Sequence, residues 1–149
     1  MRILATILLA FALSACSPSE PASTAPPQEQ PAAAPPSTSA RAEFSAAGGN
    51  VGCTYTPAGG TAVYTTHDGR AELFCDRVEP TYVRLSMSEE GAAREVPTDE
   101  RGCCSGAMLN PGERWRQGPF SCEVGEAGVI CSKADGHGFT LTRTQAEVR

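Results

Sequence analysis

Seven cysteines and two histidines are the groups in this 149-residue chain that could do chemistry. A cysteine can ligate a metal, attack as a thiolate, carry a lipid or close a disulfide, and its setting decides among these. Structural zinc sites draw on closely spaced thiolate pairs such as C-x-x-C, and none occurs here. So many cysteines in so short a chain point instead to a disulfide-supported core in an oxidising compartment. Cys122 and Cys131 lie in two segments of alternating polarity joined by a short Gly-flanked link. Folding that stretch as a hairpin about Glu126-Ala127 sets them directly opposite. Cross-strand Cα atoms are then about 4.5–5.5 Å apart, within disulfide reach.

Cys103 and Cys104 are neighbours in the chain. Consecutive Cα atoms are about 3.8 Å apart, below the usual disulfide range, so a bond between them is strained and labile. Either these two pair with each other, or each bonds one of Cys53 and Cys75. His67 and His137 both lie in Asp/Gly turns, beside Asp68 and Asp135. Together they could form an acid–base or metal site. The alternative is turn chemistry, in which Asp-Gly and Gly-His-Gly supply positive-φ positions. No third ligand has suitable spacing, which favours the turns. Ser105-Gly106 lacks the G-x-S-x-G context of a hydrolase nucleophile. Trp115, between Arg114 and Arg116, is either an exposed recognition side chain or a cap on a sheet. Those three residues and His137 are the candidate binding set; no catalytic residue, metal or cofactor is assigned.

The elements that must position these groups are strands. After the hairpin at 120–131, the turn Asp135-Gly136-His137-Gly138 leads to a third strand at 139–142. Earlier, 51–55 reads as a first strand, 61–66 is rich in β-branched and aromatic residues, 71–76 returns the chain, and 82–86 comes next. The span 89–101 is charged and patternless, so it reads as a loop. No segment carries a helical stripe. The expected fold is all-β: a small disulfide-stapled antiparallel sandwich or partly open barrel built from two hairpin-plus-strand units. The two units share the form G-x-A-x-apolar-apolar-C-x-basic, at 69–77 and 125–133, each followed by an aromatic-led strand at Tyr82 or Phe139. By analogy with the second hairpin, Cys75 pairs back to Cys53, with 56–69 inserted between them. Cys103 and Cys104 are then left with each other.

The N-terminus reads differently. Met1-Arg2 and the apolar run 3–13 make a signal-peptide core too short to span a membrane. Leu13-Ser14-Ala15-Cys16 resembles a bacterial lipobox, so 1–15 is expected to be removed and Cys16 lipidated, which leaves six cysteines for the domain. Two or more acyl chains make a stable anchor. Ser17 in place of Asp favours the outer membrane in a cell that has two. The span 16–41 is rich in Pro, Ala and Ser and reads as a disordered tether, with the β domain over 42–149.

Asn50-Val51-Gly52-Cys53, Cys75-Asp76, the turn Pro111-Gly112-Glu113-Arg114-Trp115 and the closing Gly136-His137-Gly138-Phe139-Thr140-Leu141-Thr142-Arg143 carry a resemblance. They resemble a domain-of-unknown-function family of small secreted bacterial proteins that open S-G-N-I-x-C and close G-x-G-F-x-L-S-R. The resemblance implies a secreted, disulfide-bonded β domain and brings no activity with it. This chain departs by having 46–49 as Ala-Ala-Gly-Gly and by its adjacent cysteines.

The net charge of −5 gives no electrostatic reason to expect nucleic acid, and a basic protein or envelope component is better served. The expected function is a lipid-anchored extracytoplasmic binding or envelope-interaction module rather than an enzyme. The rivals are an anchored inhibitor of a cationic host enzyme such as a lysozyme, and a small secreted hydrolase.

Overall fold

The computed structural model describes residues 40–149; the lipobox, Cys16 and nearly all of the tether lie outside the described residues. Period-two patterning dominates the strands. Phe44, Cys53, Tyr55, Leu73, Cys75, Leu85 and Met87 are buried, while most of their chain neighbours face away from the core. The strands are β1 (Ala42–Ala46), β2 (Val51–Thr56), β3 (Glu72–Arg77), β4 (Val83–Ser88), β5 (Arg94–Glu95), β6 (Ala107–Met108), β7 (Arg114–Gln117), β8 (Phe120–Gly125), β9 (Gly128–Ser132), β10 (Gly138–Thr142) and β11 (Ala146–Val148). They form a six-stranded sheet, β5-β4-β3-β2-β1-β6, and a five-stranded sheet, β11-β10-β9-β8-β7. Every pairing is antiparallel except β1 with β6. There is no α-helix among the described residues.

The inner faces meet in one core. Phe44 stacks on Trp115 with centroids 5.0 Å apart, and Tyr55 meets Phe120 at 6.1 Å. Each sheet carries one bridge across its central hairpin: Cys53–Cys75 and Cys122–Cys131, both with Cα atoms 4.1 Å apart. All four cysteines are essentially solvent-free. In both hairpins the two cysteines are directly cross-strand, as the alternation requires.

The halves correspond strand for strand. Phe44 lies opposite Cys53 and Trp115 opposite Cys122; Leu85 lies opposite Cys75 and Phe139 opposite Cys131. The counterpart of Phe139 is therefore Leu85, not Tyr82, which precedes β4. The basic residues ending the shared motif act reciprocally. Buried Arg77 donates from Nη1 to the Thr142 carbonyl of the second sheet at 2.9 Å. Buried Lys133 donates from Nζ to the Gly91 carbonyl, beyond the end of β4, at 2.7 Å and to Glu89 O at 3.3 Å.

Several sequence expectations need correction. The span 61–66 is not a strand: β2 and β3 pair directly out to Thr56 and Glu72, so the excursion between them has no ladder partner. The strand at 51–55 is the second, because 42–46 precedes it and pairs with it. The span 89–101 contains the short β5, paired to Leu85 and Ser86. β6 and β11, both short edge strands, had no pattern long enough to read.

Candidate functional site

With Cys75 inward, period two sends Glu72, Phe74 and Asp76 of β3 to the outer face of the six-stranded sheet. Register then sets the rest of that face. One row runs Glu43, Thr54, Phe74, Ser86 and Arg94; the next runs Ser45, Gly52, Asp76 and Arg84. All of these but Ser45, together with Glu72, floor a groove of about 890 Å³. One wall is the excursion between β2 and β3, which contributes Val63, Tyr64 and His67; the other is the segment 100–105, which carries Cys103 and Cys104.

The floor is charged, and its carboxylates are paired with its arginines. Arg84 grips Asp76 with both ends of its fork, Nε to Oδ1 at 2.7 Å and Nη2 to Oδ2 at 3.0 Å. Such bidentate pairs are strong and directional. The Asp76 carboxylate raises the Arg84 guanidinium above its already high value. Arg84 Nη2 also donates to the Tyr82 hydroxyl at 3.1 Å, and that hydroxyl lies 3.3 Å from the carbonyls of Glu100 and Gly102. Burial, reinforced by neighbouring Asp76, pushes the Tyr82 phenol up to about 12. Further along, Glu72 accepts from Ser86 Oγ, from Arg94 Nη2 at 3.3 Å and from the His67 backbone N–H at 3.3 Å. The Arg84 guanidinium lies 4.6 Å from the Phe74 ring centroid and Arg41 lies 4.0 Å from that of Tyr64.

Gly52 makes room for the second wall. A Cβ there would come within 2.8 Å of Cys104 Cα and 3.0 Å of Cys103 Sγ. The missing side chain opens a slot in the sheet face into which the two cysteines settle, bonded to each other. Cys103 Sγ also lies 3.8 Å from the Asp76 carbonyl oxygen. Unlike the two core bridges, this pair meets solvent.

The candidate binding set from the sequence does not come together. Along β7, alternation turns Trp115 inward against Phe44, while Arg114 and Arg116 face outward on the five-stranded sheet. Arg114 is 3.4 Å from Glu123 on that exposed face. His137 sits in the β9–β10 turn, where its backbone N–H donates to Asp135 Oδ1 at 3.0 Å. His67 lines the groove and His137 does not. Among the described residues, the one close group of metal-type ligands is Cys53, Cys75 and Cys131. All three are in disulfides, so the cluster is two core bridges in contact rather than a metal centre. Sequence reasoning missed Glu72, Phe74, Asp76 and Arg84. Their signal was the phase of β3: once Cys75 is inward, a large aromatic residue must sit on the outer face.

No family model, curated protein or solved structure matches this chain.

Proposed function

We propose that this domain is an extracytoplasmic binding module that takes its ligand in the outer groove of the six-stranded sheet. Lipidated Cys16 and the tether over 17–41 hold it to a bacterial membrane on the extracytoplasmic side, the outer membrane in a cell that has two. The observation that carries the proposal is the groove itself. A sheet face backed by a core is ordinarily left to solvent, but this one is walled on two sides and floored by an aromatic ring among fixed polar groups. Binding is favoured over catalysis because the floor carboxylates of Glu72 and Asp76 already accept from arginines, so neither is an unengaged acid–base group.

The test is retention from envelope extract on immobilised domain. The wild type should hold material that Phe74→Ala fails to hold, whereas Ile130→Ala, exposed on the other sheet, should behave as the wild type. Equal retention by all three proteins would remove the groove from the proposal.

A further inference from the structure

Given a binding role for the groove, its chemistry narrows the class of ligand. We infer that it takes an uncharged, polyhydroxylated chain: a neutral glycan. This deepens the binding proposal and depends on it.

Charge balance is the first argument. Four arginines line the groove, Arg41, Arg84, Arg94 and Arg101, and four carboxylates accompany them, Glu43, Glu72, Asp76 and Glu100. Three of these acids are bridged within the groove, by Arg41–Glu43, Arg94–Glu72 and Arg84–Asp76. A charged ligand gains most where an opposite charge is unmatched and loses where it must break an existing pair. Neither a polyanion nor a polycation gains that advantage in this groove.

The second argument is the mixture of donors and acceptors. An ion pair fixed in a sheet presents spare N–H groups beside carboxylate lone pairs. Arg84 has three of its five N–H groups engaged, by Asp76 at two positions and by Tyr82, and keeps two. A hydroxyl both donates and accepts, so it can bridge such neighbours at once. A ligand dense in hydroxyls matches a floor dense in paired forks and carboxylates. Because these groups are held by one another, little ordering remains to be done on binding.

Aromatic surface supplies the third. Phe74 is partly exposed at the middle of the floor with the Arg84 guanidinium over its ring, and Tyr64 stands exposed on the wall with Arg41 over its own. A pyranose ring is amphipathic, with hydroxyls around its rim and C–H groups on its faces. Those faces suit an aromatic ring while the rim meets the paired charges. A neutral peptide shares the lack of charge but has few hydroxyls to bridge the forks.

Calorimetric titration of the intact soluble domain tests the inference. The probes are cellohexaose, maltohexaose and the hexamer of N-acetylglucosamine, with a heparin hexasaccharide, hexalysine and a Gly-Ser hexapeptide as comparisons. At least one neutral hexaose should bind, and binding should persist in about 1 M NaCl, since no charge on the ligand is there to be screened. Phe74→Ala should weaken it by about tenfold, in keeping with the value of an aromatic contact. Tyr64→Ala, in the exposed wall, should also weaken it without touching the core, which separates loss of contact from loss of fold. Binding of the heparin fragment, hexalysine or the peptide in place of every neutral hexaose would overturn the inference, as would binding of no hexaose at all. If envelope material is still retained through Phe74 while no hexaose binds, the glycan assignment fails and the binding proposal stands.

Discussion

Removing the two core bridges one at a time should destabilise the domain unequally, and the order follows from chain length. Cys53 and Cys75 are separated by 22 positions, Cys122 and Cys131 by 9. In the chain-entropy description a bridge acts on the unfolded state, and its effect grows with the logarithm of the loop it closes. For these loops that gives about 3.4 and about 2.7 kcal/mol, a difference of about 0.7 kcal/mol. Packing terms largely cancel in the comparison. Both bridges are fully buried, both cross the centre of a hairpin, and each double Cys→Ala exchange deletes the same atoms. Urea unfolding of Cys53→Ala/Cys75→Ala and Cys122→Ala/Cys131→Ala reads the difference directly. With a slope of about 1–1.5 kcal/mol/M for a domain of this size, the midpoints should lie about 0.5 M apart, the first variant lower. Coincident midpoints, or the reverse order, would show that native-state packing rather than loop closure sets what these bridges contribute. The sulfurs of Cys53, Cys75 and Cys131 lie within 4.8 Å of one another, so the quadruple variant should depart from additivity.

Three further outcomes are expected at the site and the N-terminus. Gly52→Ala, at a backbone position other residues can adopt, should cost about 1–3 kcal/mol by crowding Cys104, and should speed reduction of the Cys103–Cys104 bond while the core bridges stay intact; unchanged stability and reduction rate would refute the seating described for these cysteines. Tyr82 titrates near 12 in the fold against 10.0 in an exposed phenol. Its folded value being the higher, the stability it confers is complete below pH 10 and is lost as pH rises through about 12, so Tyr82→Phe should flatten the alkaline limb of a pH–stability curve; an unaltered limb would count against burial, with Asp76 beside it, holding the phenol protonated. Radioactive palmitate should label the wild-type chain in bacteria and leave Cys16→Ala unlabelled and soluble, and equal labelling would remove the lipid anchor from the proposal.

The core was legible because the cysteines set its phase. Once Cys122 faces Cys131, Phe120, Val124 and Val129 must share their side, and the structure buries all three. The same phase in β3 places Phe74 outside, yet nothing in one strand's pattern tells which neighbouring strands bring Arg84 beside Asp76. That requires register between segments far apart in sequence, and register is a tertiary property. The excursion between β2 and β3 misled for a related reason. Val63 and Tyr64 have strand-like side chains, but both are exposed. Local turn bonds, such as the Tyr64 N–H to Thr61 Oγ1 at 3.1 Å, shape the segment in place of a ladder. Trp115 was ambiguous until Phe44 was placed against it. The edge pair β1–β6, two residues long on its shorter side, leaves no periodicity to detect.

What separates the two halves is as informative as what they share. β8 and β9 are joined by Glu126 and Ala127 alone, while the equivalent strands β2 and β3 are joined by residues 57–71. Each doubling of a loop costs about 0.6 kcal/mol of closure entropy, so the longer link is a tolerable departure from the shorter one but carries a real cost. Cys53–Cys75 closes the base of that excursion, and the Gly59 N–H donates to the Gly69 carbonyl at 2.8 Å across its neck. The second wall, with Cys103 and Cys104, lies between β5 and β6, after the last strand that has a counterpart in the other half. Both walls of the groove are thus additions to a frame that closes its core without them in the second sheet. Two walls that are absent from the shared frame and lie over one outer face only support the proposal that this face binds a ligand, since the second sheet closes its side of the core without them.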